Sequence, residues 1–305
     1  MTPAVFLPDL IIAVDWSAAS QPRPKKPSAD ACWIAWAFRD DDTDRRPPPE
    51  YFRTRASCEA RITDLLASHA GSTFLGFDFP LGYPVAIDGA EVLPVGRQLC
   101  QHLDSLIEDE DTNHNNRFDI AEALNEQIAE RFAEPHGPFW GCPPTRDSVS
   151  SLLLPTKRVM RAVPEYRAVE QLVRTTRRLG IQSPWKLYTT GSVGSQMLLG
   201  LPVIHRLLAN LGDRGRLLPF EQIDRLDAVV ITEIWPSLHD AGIVDHPIKD
   251  ARQVLATRDA MFSPPAHRPG SLHTGLMPED LPEVASREGW IAGVHSSDNS
   301  DSHTV

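Results

Sequence analysis

The sequence predicts an α/β protein: a mixed β-sheet in the chain order β-β-β-α-β, carrying a large helical insertion. Three observations lead there. LIIAV (10–14) and TFLGF (73–77) are apolar on both faces, as strands in the middle of a covered sheet are. Two further strand-like runs and one helical stretch lie between them, and strand-helix alternation continues to the C-terminus. An acid closes each of three apolar runs on different strands: Asp15, Asp78 and Glu233.

The first strand ends at Asp15 and is followed by a polar, proline-rich loop, SQPRPKKPSAD (20–30). ACWIAWAF (31–38) is the second strand, and YFRTRAS (51–57), beyond the solvated RDDDTDRRPPPE, holds the third. SCEARITDLLASHA (57–70) sets Ile62, Leu65 and Leu66 at helical spacing, with Thr54 or Ser57 as cap. The fourth strand runs into Asp78. From about 85 to 225 the pattern becomes helical. VGRQLCQHLDSLI (95–107) and IAEALNEQIAERF (120–132) are amphipathic. VPEYRAVEQLVRTTRRLG (163–180) starts at Pro164 and stops at Gly180; LPVIHRLLANLG (201–212) repeats that arrangement with Pro202 and Gly212. The four apolar stripes need a partner surface, so this insertion is expected to cover one side of an acidic cleft. The sheet resumes at Val229, followed by a helix (249–262), a strand-like GWIAGV (289–294) and a polar tail, 295–305, expected to be disordered. One domain spanning 1–294 is expected, without internal repeats.

Hydrophobic content of 41% and charged content of 23% over 305 residues suit a globular chain with a sizeable core. A net charge of −11 argues against a surface that grips nucleic acid all round, while leaving room for a locally basic groove. No run reaches the length of a membrane span, and no positive signal-peptide region opens the chain, so a cytoplasmic protein without membrane contact is expected. Cys32, Cys58, Cys100 and Cys142 have no zinc spacing and read as reduced, structural thiols.

One terminal acid is commonly a strand end or a cap. Three suggest a cluster. Asp15 shares a strand face with Ile11 and Ala13, Asp78 with Phe74 and Gly76, and Glu233 with Val229 and Ile231. If the first and fourth strands are parallel neighbours, both aspartates lie at their carboxyl ends, where open α/β sheets bind ligands. Carboxylates held that close need shared protons or a cation, and Mg²⁺ or Mn²⁺ takes oxygen ligands of this kind. Asp250, opening the helix after the Glu233 strand, is a natural further ligand; otherwise it compensates the helix dipole. Asp259 lies nine residues on, about 13 Å along the helix, so Asp250 is preferred.

VDWSAA, GFDFPLGYP, NNRFDIAEALN, WKLYTTGSVGSQ, TEIWPS and KDARQV together resemble an uncharacterised family of predicted nucleases with a ribonuclease H-like fold, over residues 10–294. The resemblance implies a ribonuclease H-like mixed sheet, with Asp15, Asp78, Glu233 and Asp250 as metal-binding catalytic residues and Mg²⁺ or Mn²⁺ as cofactor. Glu59 stands near the start of its helix, a poor place for the early helical glutamate that many ribonuclease H enzymes use.

The remaining motifs each admit two readings. TTGSVGSQMLLG (189–200) presents backbone N–H groups to a phosphate, or is a tight turn with Ser192 capping a short helix. The resemblance favours substrate contact at Ser192, Gly194 and Ser195. Ser17, Arg117 and Lys186 are further substrate-binding candidates. DTNHNNRFDIAE (111–122) sets Asp111, Asn113, Asn115 and Glu122 at calcium-loop positions, but Asn116 replaces the turn glycine and no second loop pairs with it. A chance match is preferred, with Arg117 reaching the acidic site. Lys157, Arg158, Arg161, Arg167, Arg174, Arg177 and Arg178, joined by Lys186 and Arg146, form either a solvated helix face or the one local patch for a nucleic acid or nucleotide. The leading expectation is a metal-dependent nuclease or phosphodiesterase that works by two-metal hydrolysis at the acidic cluster. The alternatives are a nucleotide phosphotransferase or phosphohydrolase, as in the actin-like kinases sharing this core, and a binding protein with structural acids.

Overall fold

The computed structural model describes residues 7–144, 152–176, 180–239, 242, 244–262 and 281–295. It is an α/β protein built on a mixed six-stranded sheet. β1 (Leu10–Asp15), β2 (Cys32–Phe38) and β3 (Glu50–Phe52) form an antiparallel meander. α1 (Arg55–Ala67) then returns the chain, capped by the Thr54 side chain accepting from the Ser57 N–H, so that β4 (Thr73–Phe77) pairs parallel to β1. β6 (Val229–Glu233) adds parallel to β4, β5 (Gly215–Leu217) lies beyond it, and the sheet order is β3-β2-β1-β4-β6-β5.

The 85–225 segment carries α2 (Arg97–Asp104), α3 (Arg117–Arg131), α4 (Ala168–Thr176) and α5 (Val193–Leu211). It departs from the expected helical insertion in two ways. β5 (Gly215–Leu217) lies inside it and joins the sheet edge beside β6. α5 begins at Val193, so Pro202 sits inside the helix and does not start it. An internal proline loses one N–H and crowds the preceding turn, and the packing of a helix buried without a break from Met197 to Ile204 offsets that cost.

Alternation along the central strands feeds two cores. Leu10, Ile12 and Val14 join Leu75, Phe77, Val229 and Ile231 beneath α1, α2, α3 and α5. Ile11, Ala13, Phe74 and Val230 face the opposite side, against α4 and α6 (Lys249–Phe262). GWIAGV is not a strand: Ile291 makes a single bridge to Glu233, while Trp290 and Ala292 fill the second core behind the short α7 (Ala285–Glu288). No helix among the described residues is long and apolar enough to cross a membrane. The tail from 296 onward lies outside the described residues, as do Arg146, Arg177 and Arg178.

Candidate functional site

Asp15 is the last residue of β1, and Asp78 follows the last residue of β4. Val14 pairs with Phe77, and the Asp78 N–H donates to the Val14 carbonyl at 3.2 Å, so the two acids leave adjacent parallel strands at one level. Parity puts both on the Ile11/Phe74 side of the sheet. Asp250, in the first turn of α6, comes to the same place. The three carboxylates line one cavity of about 510 Å³.

Their bonds leave oxygen atoms available. The Trp16 N–H donates to Asp78 Oδ1 (2.7 Å), and the Asp30 N–H donates to Asp250 Oδ2 (2.8 Å). Burial, and next the Asp78 and Asp250 charges, lift Asp15 well above the ordinary carboxylate range. Burial pushes Asp78 up to about 7; the Trp16 bond pulls it back, and the Asp250 charge adds to the rise. Carboxylates this close and this buried favour a shared proton or a neighbouring cation.

Glu233 does not join it. Glu233 pairs with Phe77, one residue short of Asp78, and lines a neighbouring hollow at the strand ends, not the cavity of the three aspartates. Arg167 takes both of its oxygens, Nη1 to Oε2 at 2.8 Å and Nη2 to Oε1 at 2.7 Å, and the Leu81 N–H adds a 3.3 Å bond. Arg167 also grips Glu170 and is fully buried. Glu233 is thus half of a buried ion pair, and the expected four-carboxylate shell does not form. Among the described residues no group of three or more His, Cys, Asp or Glu side chains is set to hold a metal ion. Mg²⁺ asks for less, because it keeps several waters and uses one or two carboxylates with substrate phosphate. Asp15 and Asp78, with like charges and raised proton affinity, fit that requirement.

The expected substrate contacts divide. Arg117 reaches the cavity: Nε donates to Ser195 Oγ (2.9 Å), and Nη1 to Ser20 Oγ (3.0 Å) and Asn115 Oδ1 (2.7 Å). Among the described residues no carboxylate forms an ion pair with it, and burial, with the Arg55 charge behind it, lowers it to about 10. Ser192 lines the cavity through the 187–192 loop. Ser17 lines it too, but its hydroxyl donates to the Asp30 carbonyl at 2.8 Å and holds the turn. Ser195 is fully buried, donating to the Leu187 carbonyl at 2.6 Å, so it positions Arg117. Gly194 gives its N–H to the Lys186 carbonyl, and a Cβ there would lie 2.4 Å from the Pro184 oxygen, so its role is close packing. Lys186 lies off the cavity, tied to Gln182 Oε1 and the Thr190 carbonyl.

Among the described residues the basic run makes no track to the acids either. Arg167 is buried, Lys157 pairs with Glu165, Arg174 lies over Tyr166, and Lys157 and Arg158 line a separate hollow with Trp140. The calcium-like loop is a clamp: Asn113 Oδ1 accepts the Arg55 N–H, Asn115 Oδ1 accepts from Arg117, and Asp109 binds the Arg55 guanidinium. Glu59 is held by Arg206.

Sequence reading missed two residues. Gln196 donates to the Trp16 carbonyl at 2.5 Å and hydrogen-bonds Asp78, holding the two strand exits together. Its signal was helical phase, one residue beyond the buried Ser195. Asp30, at φ +57°, uses its N–H on Asp250 and its carbonyl on Ser17; nothing in a polar loop marks such a residue in advance. The chain matches no family model, no curated protein and no solved structure.

Proposed function

We propose that this protein is a divalent-metal-dependent phosphoester hydrolase on a ribonuclease H-like sheet, acting on a nucleotide or a short phosphodiester. One observation carries the reading: Asp15, Asp78 and Asp250 share a cavity with Arg117, a buried cation whose side-chain hydrogen bonds among the described residues go to neutral oxygens. Strand order β3-β2-β1-β4-β6, with acids at the ends of β1 and β4, supports the ribonuclease H-like assignment. The absence of a basic track among the described residues favours a small substrate over a long duplex, because duplex binding draws on many phosphate contacts.

Asp15 and Asp78 would hold Mg²⁺ or Mn²⁺, which supplies Lewis-acid polarisation of a phosphoryl oxygen. Arg117, held by Ser195, Ser20 and Asn115, binds another phosphoryl oxygen through its outward nitrogen. Gln196 fixes the Asp78 carboxylate. Asp250, opposite, takes a proton from the attacking water. A turnover assay with bis(p-nitrophenyl) phosphate and a short fluorescent oligonucleotide, with Mn²⁺, Mg²⁺ or EDTA, tests the reading. Asp15→Asn should cost at least about 100-fold in kcat, and Arg117→Met should cost about 10- to 100-fold in kcat/KM. EDTA-insensitive hydrolysis, or an Asp15→Asn protein as active as the native one, overturns it.

A further inference from the structure

A second hollow, of about 310 Å³, meets the acidic cavity at Asp78, Gly191 and Gln196. Its chemistry is different. Besides the shared Asp78, its carboxylates are Glu170 and Glu233, both engaged by Arg167. Ile234 and Ile291 give it an apolar floor, and Trp235, in the turn after β6, forms part of its wall. Trp235 is half-exposed, resting on the core through part of its surface. Lys249, Gln253 and Ser237 supply polar groups. Among the described residues neither the Trp235 indole nor the Lys249 ammonium has a hydrogen-bond, ion-pair or ring partner.

The start of α6 joins the two hollows. Lys249 lines one and its neighbour Asp250 the other, as consecutive helical residues about 100° apart can. A ligand with its phosphate between Asp78 and Arg117 therefore extends past Gln196 into a hollow with an unpartnered indole and a polar rim. A planar ring with hydrogen-bonding edges fits those walls: apolar floor, aromatic side, few polar groups, and a volume at the lower end of small-molecule sites, roughly 300–1,000 Å³. A bare sugar phosphate leaves the indole and floor uncovered.

We propose that this hollow is a nucleobase subsite, in which Trp235 packs against the base while Lys249 and Gln253 contact its edge. The proposal rests on the phosphoester reading, since the phosphate fixes where the base goes. Stacking on an aromatic residue makes the subsite tolerant of base identity, and the Lys249 ammonium favours bases that present acceptors.

Calorimetric titration of the full chain in Mn²⁺ with uridine 5′-monophosphate and with ribose 5-phosphate separates the two readings. The nucleotide should bind about 10-fold or more tightly than the sugar phosphate. Trp235→Leu should erase that difference while leaving ribose 5-phosphate affinity unchanged; Lys249→Ala, at an exposed position, should reduce it several-fold and covers the case of a poorly folded Trp235 variant. Equal affinities in the native protein, or a difference that survives both substitutions, overturn the base subsite and leave the metal-phosphate site standing. Binding of neither ligand overturns both readings together.

Discussion

At the residue scale, one position of parity separates an acid that lines the cavity from one held in a buried ion pair. Asp78 and Glu233 both close apolar strands, yet Asp78 falls one step beyond the Phe77–Glu233 pair and so emerges beside Asp15, while Glu233 turns to Arg167. Their substitutions should behave oppositely. Asp78 binds its proton more tightly in the folded chain, at about 7 against 3.8 for a free side chain. Its contribution to stability is therefore full below pH 4 and is lost as the pH rises through 7. Asp78→Asn removes that loss, so in metal-free buffer at pH 8 its melting temperature should equal or exceed the native one, with no advantage at pH 4. Asp15→Asn should follow the same sign, since its proton affinity is raised by the same causes. Melts of the three proteins across pH 4–8 check this; lower melting of both variants at pH 8 would show the acids to be structural. Glu233→Gln leaves Arg167 paired with Glu170 and removes only the charge on its other partner, so it should cost about 1–3 kcal/mol, measured by denaturant unfolding, while leaving the response to Mn²⁺ unchanged.

At the element scale, α5 sets the shape of the site. It crosses the sheet close enough that a Cβ on Gly200 would lie 2.2 Å from Phe79 Cζ, a ring wedged against Trp16 and Phe77. That approach brings Gln196 onto the exits of β1 and β4. Gly200→Ala should push the helix away, lowering stability by about 1–3 kcal/mol in denaturant unfolding. Turnover should fall as well, because Gln196 moves with the helix. An alanine variant of native stability would mean that Phe79 yields and the approach is not what fixes the site. The element boundaries also explain why α5 was read short in the sequence. Proline and glycine are ordinary start and stop signals, but in a helix buried along most of its length packing outweighs the lost bond at Pro202.

At the scale of the whole molecule, the two cores grip one sheet from either side, and the site opens where β1, β4, the start of α5 and the start of α6 converge. No single element contains it. A metal that binds the folded chain alone stabilises all of it, by about 1.4 kcal/mol for each tenfold rise above the dissociation constant. The melting temperature should therefore climb with the logarithm of Mn²⁺ concentration in the native protein and stay flat in Asp15→Asn. Ca²⁺ offered to Asp111→Ala and to the native chain should give identical melts, because the 111–122 loop uses its Asn113 and Asn115 oxygens within the protein. A loss of Ca²⁺ stabilisation in that variant would identify the loop as a calcium site.

The sequence by itself determined the succession of the first three strands, α1 and β4, the two-sided apolar character of β1 and β4, and the strand ends at which Asp15 and Asp78 stand, because apolar runs and side-chain alternation are local properties. Asp250 was also legible, as an acid in the first turn of a helix that follows a strand end. Only the tertiary structure decided the rest. The fate of Glu233 depends on the register between β4 and β6, and on an arginine 66 residues away in sequence. Arg117 became a cavity residue through Ser20 and Ser195, and Gln196 and Asp30 through single hydrogen bonds across the fold. Side-chain pattern within a segment fixes which face a residue takes; which charge meets which is set by the packing of segments distant in the chain.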